Sequence, residues 1–235
     1  MIARKLMLPL LTVLLAFGKA EAQKAQLSID GRLVRNGTDT FAASYSGALL
    51  GHGITHRSRV GNGDRIQILQ VYTWRDTRGS WIIDSLFADE RSLLAVRQVR
   101  VVPDTVVETR YTPQGVEVMT RLGDGSGQRK SFVAGPVAIS SAALEAVVAA
   151  SPLSPGFEQE YQLFYAPPSP RGLVQIRLRV TGAERVKDRS GADREAWVVS
   201  ASTPGGGTVF WIDKATRSVL RFDTREGPAT IEFRR

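Results

Sequence analysis

Acid–base chemistry is the first possibility the side chains raise. Asp84, Asp89 and Asp213 are candidates for a carboxylate pair, one acid and one base, if the fold brings two of them together. His52 and His56 are the two histidines of the chain, and their spacing of four puts both imidazoles on one face of a strand or a helix. Such a pair could begin a zinc site, with Asp64, Asp84 or Asp89 as a third ligand. Ser126 lies in Gly123-Asp-Gly-Ser-Gly127, which lacks the Gly-x-Ser-x-Gly order and the following helix of a nucleophile elbow. Gly205-Gly-Gly207 has no Lys after it and no helix start, so it reads as a hairpin tip and not as a phosphate cradle.

The elements that must position these groups favour turns over chemistry. Asp89-Glu-Arg-Ser92-Leu-Leu-Ala-Val96-Arg97 is written again as Asp213-Lys-Ala-Thr216-Arg-Ser-Val-Leu220-Arg221. Each copy follows an apolar run containing Trp, Trp81-Ile-Ile-Asp84 and Phe210-Trp211-Ile212. Asp with Ser or Thr three residues on is the chemistry of a tight reversal, in which short polar side chains bond the backbone. Asp89, Ser92 and Arg97, with Asp213, Thr216 and Arg221, are therefore expected as structural residues of two equivalent β-hairpins. A carboxylate that accepts backbone amides is held ionised, which suits it poorly to the role of general acid. The histidines, in the setting Gly51-His-Gly-Ile-Thr-His-Arg-Ser58, read as outward residues of a strand, and no metal is assigned. Trp81, Trp197 and Trp211 are expected as core and hairpin anchors.

Elsewhere short segments of alternating polarity are separated by Asn62-Gly63, Arg78-Gly79, Pro113-Gln-Gly115 and Asp124-Gly125. In 173–181 Val174, Ile176, Leu178 and Val180 share one face, and Gln175, Arg177, Arg179 and Thr181 share the other. Segments 65–74 and 104–121 alternate less cleanly. One dry and one wet face means an antiparallel sheet. The exception is Val137–Ala150, where Ser140 or Ser141 can cap a helix that stops at Ser151-Pro152. Apart from Glu145, every residue of 142–150 is apolar, so the helix needs burial on more than one side. The predicted fold is mainly β: a single strongly curved antiparallel sheet with this one apolar helix, about 140–150, packed in its concave face.

Met1–Ala22 reads as a signal peptide: Arg4 and Lys5 precede an apolar run from Leu6 to Phe17 that is too short to span a bilayer, and Ala20-Glu-Ala22 is a cleavage pattern. Residues 23–40 are expected as a polar lead-in and 41–235 as a single domain. The full chain carries a net charge of +8 and no cysteine. Without cysteine there is no disulfide, no thiolate nucleophile and no lipobox, so the mature chain is expected in the periplasm or secreted, with no transmembrane span after cleavage. After cleavage 28 basic residues face 22 acidic ones. That balance allows attraction to an anionic envelope surface, but no compact basic patch interleaved with aromatics points to nucleic acid.

The leader, the two Asp-x-x-Ser/Thr hairpins, the apolar helix, Leu153-Ser-Pro-Gly156, Val180-Thr-Gly-Ala-Glu-Arg-Val186 and the ending Gly207–Arg221 together resemble a known bacterial group. The chain is similar to the exported domain-of-unknown-function 3108 family, itself similar in shape to the LolA and LolB lipoprotein carriers, over about residues 45–235. The resemblance implies an unclosed half-barrel around a helix with a hydrophobic hollow, which in the carriers holds acyl chains. It transfers no catalytic residue. LolB is a lipoprotein and this chain has no cysteine, a departure that speaks against lipoprotein sorting.

What remains for function is apolar volume. Leu144, Val147, Val148, Leu153, Phe157, Tyr161 and Phe164 are the candidate ligand-binding residues of the hollow. An ordinary packed core accounts for them equally well. The reading carried forward is a non-enzymatic exported protein that binds a lipid or other hydrophobic ligand, without cofactor. A scaffold acting through protein contacts, its partner unknown, is the alternative, and a hydrolase built on His52 and His56 is remote.

Overall fold

The computed structural model describes residues 29–63, 65–134 and 138–235. The leader 1–22, Asp64 and Val137 lie outside the described residues. Among those described, alternating polarity becomes fifteen strands of one sheet. They are β1 (Gly37–Tyr45), β2 (Ala48–Val60), β3 (Gln67–Asp76), β4 (Trp81–Asp89), β5 (Ala95–Val102), β6 (Thr105–Thr112), β7 (Gly115–Leu122) and β8 (Gly127–Val133). After the short β9 (Ala138–Ser140) come helix α1 (Leu144–Ala150), β10 (Glu158–Tyr165), β11 (Gly172–Lys187), β12 (Asp193–Thr203), β13 (Gly206–Asp213), β14 (Val219–Glu226) and β15 (Ala229–Arg234). The order across the sheet runs β8 down to β1, then β15 down to β9, so two meanders are zipped together by the β1–β15 pair. Every pairing is antiparallel except β9 with β10, which are joined by the helical crossover and so run parallel.

Among the described residues no pairing joins β8 to β9, so the sheet is not closed and its two ends overlap instead. Val107, Val116 and Val118, from β6 and β7, form one buried cluster with Phe164 and Ala166, and Phe132 of β8 and Leu173 of β11 pack against it. Phe164 and Leu173 lie on the strand faces that carry Glu160 and Arg177, opposite to Leu163, Ile176 and Leu178. The β6–β8 arm therefore lies over the outside of β10 and β11, as in a scroll. The predicted curved sheet is present, and its free ends are rolled one over the other.

The repeated hairpins share their backbone bonds and differ at the hydroxyl, since Thr216 Oγ1 bonds Ser218 Oγ and not its Asp. Asp89 Oδ1 accepts from the amides of Arg91 and Ser92 at 3.1 and 2.8 Å, and from Ser92 Oγ at 2.7 Å. Asp213 Oδ1 accepts from the amides of Ala215 and Thr216 at 2.8 and 2.7 Å. The carbonyl of each Asp accepts from the residue four later, Leu93 or Arg217, at 2.9 Å. These two residues have φ of 55° and 60°, a left-handed conformation that costs a side chain energy and is held by the surrounding bonds. A bulge follows Phe87 in one copy and Trp211 in the other, opposite Arg97 and Arg221. Arg221 stacks on Trp211 at 3.7 Å, whereas Arg97 reaches Glu108 at 3.2 Å. Trp211 is buried on the outer face with its indole N–H on Glu184, but Trp81 is 37% exposed and anchors no core, because it faces outward at the start of β4.

The helix sits in the hollow as its composition demands. Ser140 Oγ accepts from the Ala142 amide at 3.1 Å, a 3-10 turn occupies Ser141–Ala143, and α1 follows. Val147 and Val148 are fully buried. At the far end Ser151 Oγ donates to Val147 O at 2.7 Å, the Asp30 amide to Ala150 O at 3.2 Å and Arg217 Nη1 to Ser151 O at 3.2 Å. Asp30 also caps a 3-10 turn at Gly31–Leu33, and β1 opens at Gly37, so the expected polar lead-in is already structured here. The Gly31 amide donates to Arg91 O at 2.9 Å. The helix end, the N-terminal turn and both Asp hairpins thus seal one end of the scroll.

Asp89→Ala and Asp213→Ala should each lower stability by about 1–2 kcal/mol, since each orphans turn amides beside a left-handed residue. Urea unfolding measures this. An unchanged midpoint for either variant would remove that turn from the supports of the sheet.

Candidate functional site

Between the helix and the sheet lies a hollow of about 390 Å³ whose two walls differ in chemistry. The first meander supplies the polar wall: Thr55 of β2, Gln70 and Tyr72 of β3, Asp84 of β4 and Arg100 of β5, together with Ser141 and Glu145. The second supplies the apolar wall: Ile176, Ala201, Phe210, Phe222 and Phe233, with Leu144 of the helix beside them. Arg171, Thr203, Gly207, Thr208, Thr224 and Arg225 ring the end opposite the sealed one. Phe222 stacks on Phe233 at 4.2 Å and lies 5.6 Å from Phe210, making a continuous aromatic slab.

The polar wall is legible as a departure from alternation. Thr55 and Arg57, Gln70 and Tyr72, Asp84, and Gln98 and Arg100 occupy the inward positions of β2 to β5, where apolar residues would be the rule. Gly51 and Gly53 face inward as well. A Cβ on Gly53 would stand 3.0 Å from the Tyr72 ring and hydroxyl, so the missing side chain gives the tyrosine room to lie across the strand.

Two hydrogen-bond networks hold this wall and meet at the helix start. In the first, Arg57 is 8% exposed and donates to Gln70 Oε1 at 2.7 Å, to Asp39 Oδ2 at 2.8 Å and to Glu145 Oε2 at 3.0 Å. Gln70 Nε2 then donates to the Ala142 carbonyl at 2.5 Å, and Arg235 adds a second cation on Asp39. In the second, Gln98 Nε2 lies 2.8 Å from both Asp84 oxygens, and Arg100 donates to Asp84 Oδ2 at 2.9 and 2.5 Å. Gln98 Oε1 accepts from Tyr111 at 3.0 Å and from Ser140 Oγ at 2.8 Å. Burial pushes the Glu145 carboxyl up from its ordinary range, and the Arg57 charge opposes that rise. Burial also pushes the Tyr72 hydroxyl well up, helped by the negative charges of Glu145 and Asp84, so Tyr72 stays neutral.

Of the seven residues expected to bind ligand, Leu144 lines the hollow. Val147, Val148, Leu153, Tyr161 and Phe164 are closed into the packed core, and Phe157 packs against it. The helix turns Leu144 and Glu145 to the space and its other residues into the sheet. The lining the sequence did not reveal is Thr55, Tyr72, Phe210, Phe222 and Phe233, whose signal was inward placement on the strands. Asp84 is no turn residue, since it is buried against Arg100, and it stands apart from the Asp89 and Asp213 turns. His52 and His56 project from the outer face of β2, with His56 Nδ1 3.0 Å from Thr38 Oγ1. Among the described residues no group of three or more His, Asp or Glu side chains could hold a metal. Ser126 Oγ donates to Asp124 within its own turn at 2.7 Å.

Glu145→Gln keeps an acceptor for Arg57 and removes a carboxyl whose range is raised in the folded state. A raised carboxyl contributes stability below its unfolded range and loses it as pH rises through the folded one. Wild type should therefore be most stable relative to Glu145→Gln at low pH and lose ground toward neutrality, as read by chemical unfolding at a series of pH values. Arg57→Met leaves Glu145 without its cation, while Asp39 keeps Arg235, and should cost about 3–5 kcal/mol.

Comparison with known proteins agrees with this architecture. The crystal structure of a beta-barrel-like protein of domain of unknown function DUF1849 from Brucella abortus superposes with a TM-score of 0.53 at 10% identity, covering 84% of this chain and 94% of that one. At that identity the likeness is one of fold alone, to a barrel-like protein, and it does not itself bear on the LolA and LolB shape. No curated protein sequence matches the chain. The family model for proteins of unknown function DUF3108 matches residues 40–234, nearly the whole of the two meanders, and the chain belongs to that family.

Proposed function

We propose that this protein is exported to the cell envelope and there, without catalysing a reaction, holds a lipid or other hydrophobic small molecule in the hollow of its sheet. The observation that carries the reading is the hollow itself. Its volume of about 390 Å³ falls in the range of small-molecule sites, roughly 300–1,000 Å³. An aromatic slab of Phe210, Phe222 and Phe233 forms one wall. The apolar leader Leu6–Phe17, with Ala20-Glu-Ala22 behind it, supports export. Among the described residues no helix is long and apolar enough to cross a membrane.

A second reading, a scaffold acting through strand addition, draws on β8. Its outer edge pairs with no described strand, and Val133 is 92% exposed. In-cell crosslinking from a residue of β8 tests it, and the absence of any reproducible adduct would dismiss it.

Protein purified from the periplasm and extracted with organic solvent should yield a co-purifying amphiphile by mass spectrometry, and its N-terminus should read from Gln23. Ala201→Phe, which fills the hollow, should cut recovery by about tenfold at a stability cost of about 1–3 kcal/mol. A lipid-free preparation that also fails to bind an uncharged fluorescent probe such as N-phenyl-1-naphthylamine would overturn the reading.

A further inference from the structure

The polar wall of the hollow carries hydroxyls in excess of what the protein itself satisfies. Thr55, only 1% exposed, Tyr72 and Ser141 all line the space, and their hydroxyls make no hydrogen bond to any described residue. A hydroxyl that faces a hollow without a protein partner depends on water there, so a ligand that supplies acceptors keeps a bond at these three positions that a plain hydrocarbon would forfeit on displacing that water. Tyr72 is held in place by its packing over Gly53, so its hydroxyl is pre-positioned before anything binds.

The charges around the same space are already balanced. Asp84 is matched by Arg100 at 2.5 Å, and Glu145 by Arg57 at 3.0 Å. A charged head group pushed against this wall would lose water and find no uncompensated partner, at a cost of several-fold to many-fold in affinity. Arg225 stands at the mouth, where it is exposed to solvent and donates to Gly227 O at 3.2 Å. A charge bound there would remain screened by water.

We propose that the hollow is selective for uncharged amphiphiles whose head accepts hydrogen bonds, such as a monoacylglycerol or a related ester. The head is seated against Thr55, Tyr72 and Ser141, and the hydrocarbon lies on Phe210, Phe222 and Phe233. This rests on the hollow-binding reading above and adds the chemical class of the ligand and its orientation, head inward.

The test is displacement of N-phenyl-1-naphthylamine from the purified mature protein by three lauryl probes: 1-lauroylglycerol, lauryl phosphate and lauryltrimethylammonium. The uncharged ester should displace the dye at about tenfold lower concentration than either ion, the margin expected where a site is built to bond a polar group. Tyr72→Phe, which keeps the ring over Gly53, and Thr55→Val, which keeps the volume, should together abolish that margin, which is a ratio read within each variant and so stands whatever the variant's affinity for the dye. Tyr72→Phe alone should reduce it, so the result does not depend on the double variant folding. Lauryl phosphate binding as well as or better than the ester would overturn the proposal in favour of an anionic head at Arg171 and Arg225. An unchanged margin in the variants would overturn it too. Both failures leave hollow binding standing, whereas failure of the dye to bind at all would remove both readings.

Discussion

Ala142 has its carbonyl bonded to Gln70 and its amide to Ser140, and through these two bonds the helix is registered to the sheet. Gln70 is held by Arg57, which also gathers Asp39 and Glu145. Ser140 is held by Gln98, which also takes Asp84 and Tyr111. Ala142 thus ties six strands of the first meander, β1 to β6, to the start of α1. A helix of two turns has little stability of its own. Fixed at this end by polar bonds and at the other by Asp30 and Arg217, it can serve as the plug around which a fifteen-stranded sheet curls.

The two meanders share a topology and a hairpin but divide the interior between them. Phe210, Phe222 and Phe233 come from β13 to β15, while Arg57, Asp84 and Arg100 come from β2, β4 and β5. The difference follows from what each faces. The second meander packs on the apolar flank of the helix, and its inner residues need no partners. The first faces the turn at Ser141–Ala143, whose free peptide groups call for polar side chains. Once polar side chains stand inside, charge must be paired, which explains why Asp84 and Glu145 each meet an arginine.

Much of the fold was legible because its signals are local. The Asp89 and Asp213 turns are bonds between residues two to four apart, and the dry face of 173–181 needs only its own alternation. The apolar helix announced a concave place to sit. The candidate site was less legible, because its bonds span long separations: 88 residues from Arg57 to Glu145 and 42 from Gln98 to Ser140. Leu153, Tyr161 and Phe164 have the composition of a lining, yet neighbouring strands and the overlapping arm fill the space around them. Trp81 was misread for the converse reason, since an aromatic beside a turn does not reveal which face of its strand is outward. The overlap of β6–β8 on β10 and β11 depends on how far the sheet coils, a cumulative property that no single segment encodes.

That overlap also explains how so long a sheet manages its ends. An open edge with an apolar face invites pairing with another chain. Here the inner face of β6–β8 is used up against Phe164, Ala166 and Leu173, and the last strand is almost wholly polar, with Gln128, Arg129, Lys130 and Ser131 in sequence. The opposite end is a strand of three residues covered by its own crossover. The interior shows no comparable economy. A hollow lined by paired charges and free hydroxyls is less stabilising than one filled by Leu and Phe, since buried ion pairs seldom exceed well-packed apolar residues in stability. The helix start accounts for Gln70 and Ser140, and charge pairing accounts for Arg57 and Arg100. Neither accounts for Thr55 and Tyr72, which line the hollow with no hydrogen bond to a described residue, and that remainder of polarity is where a ligand has something to bind.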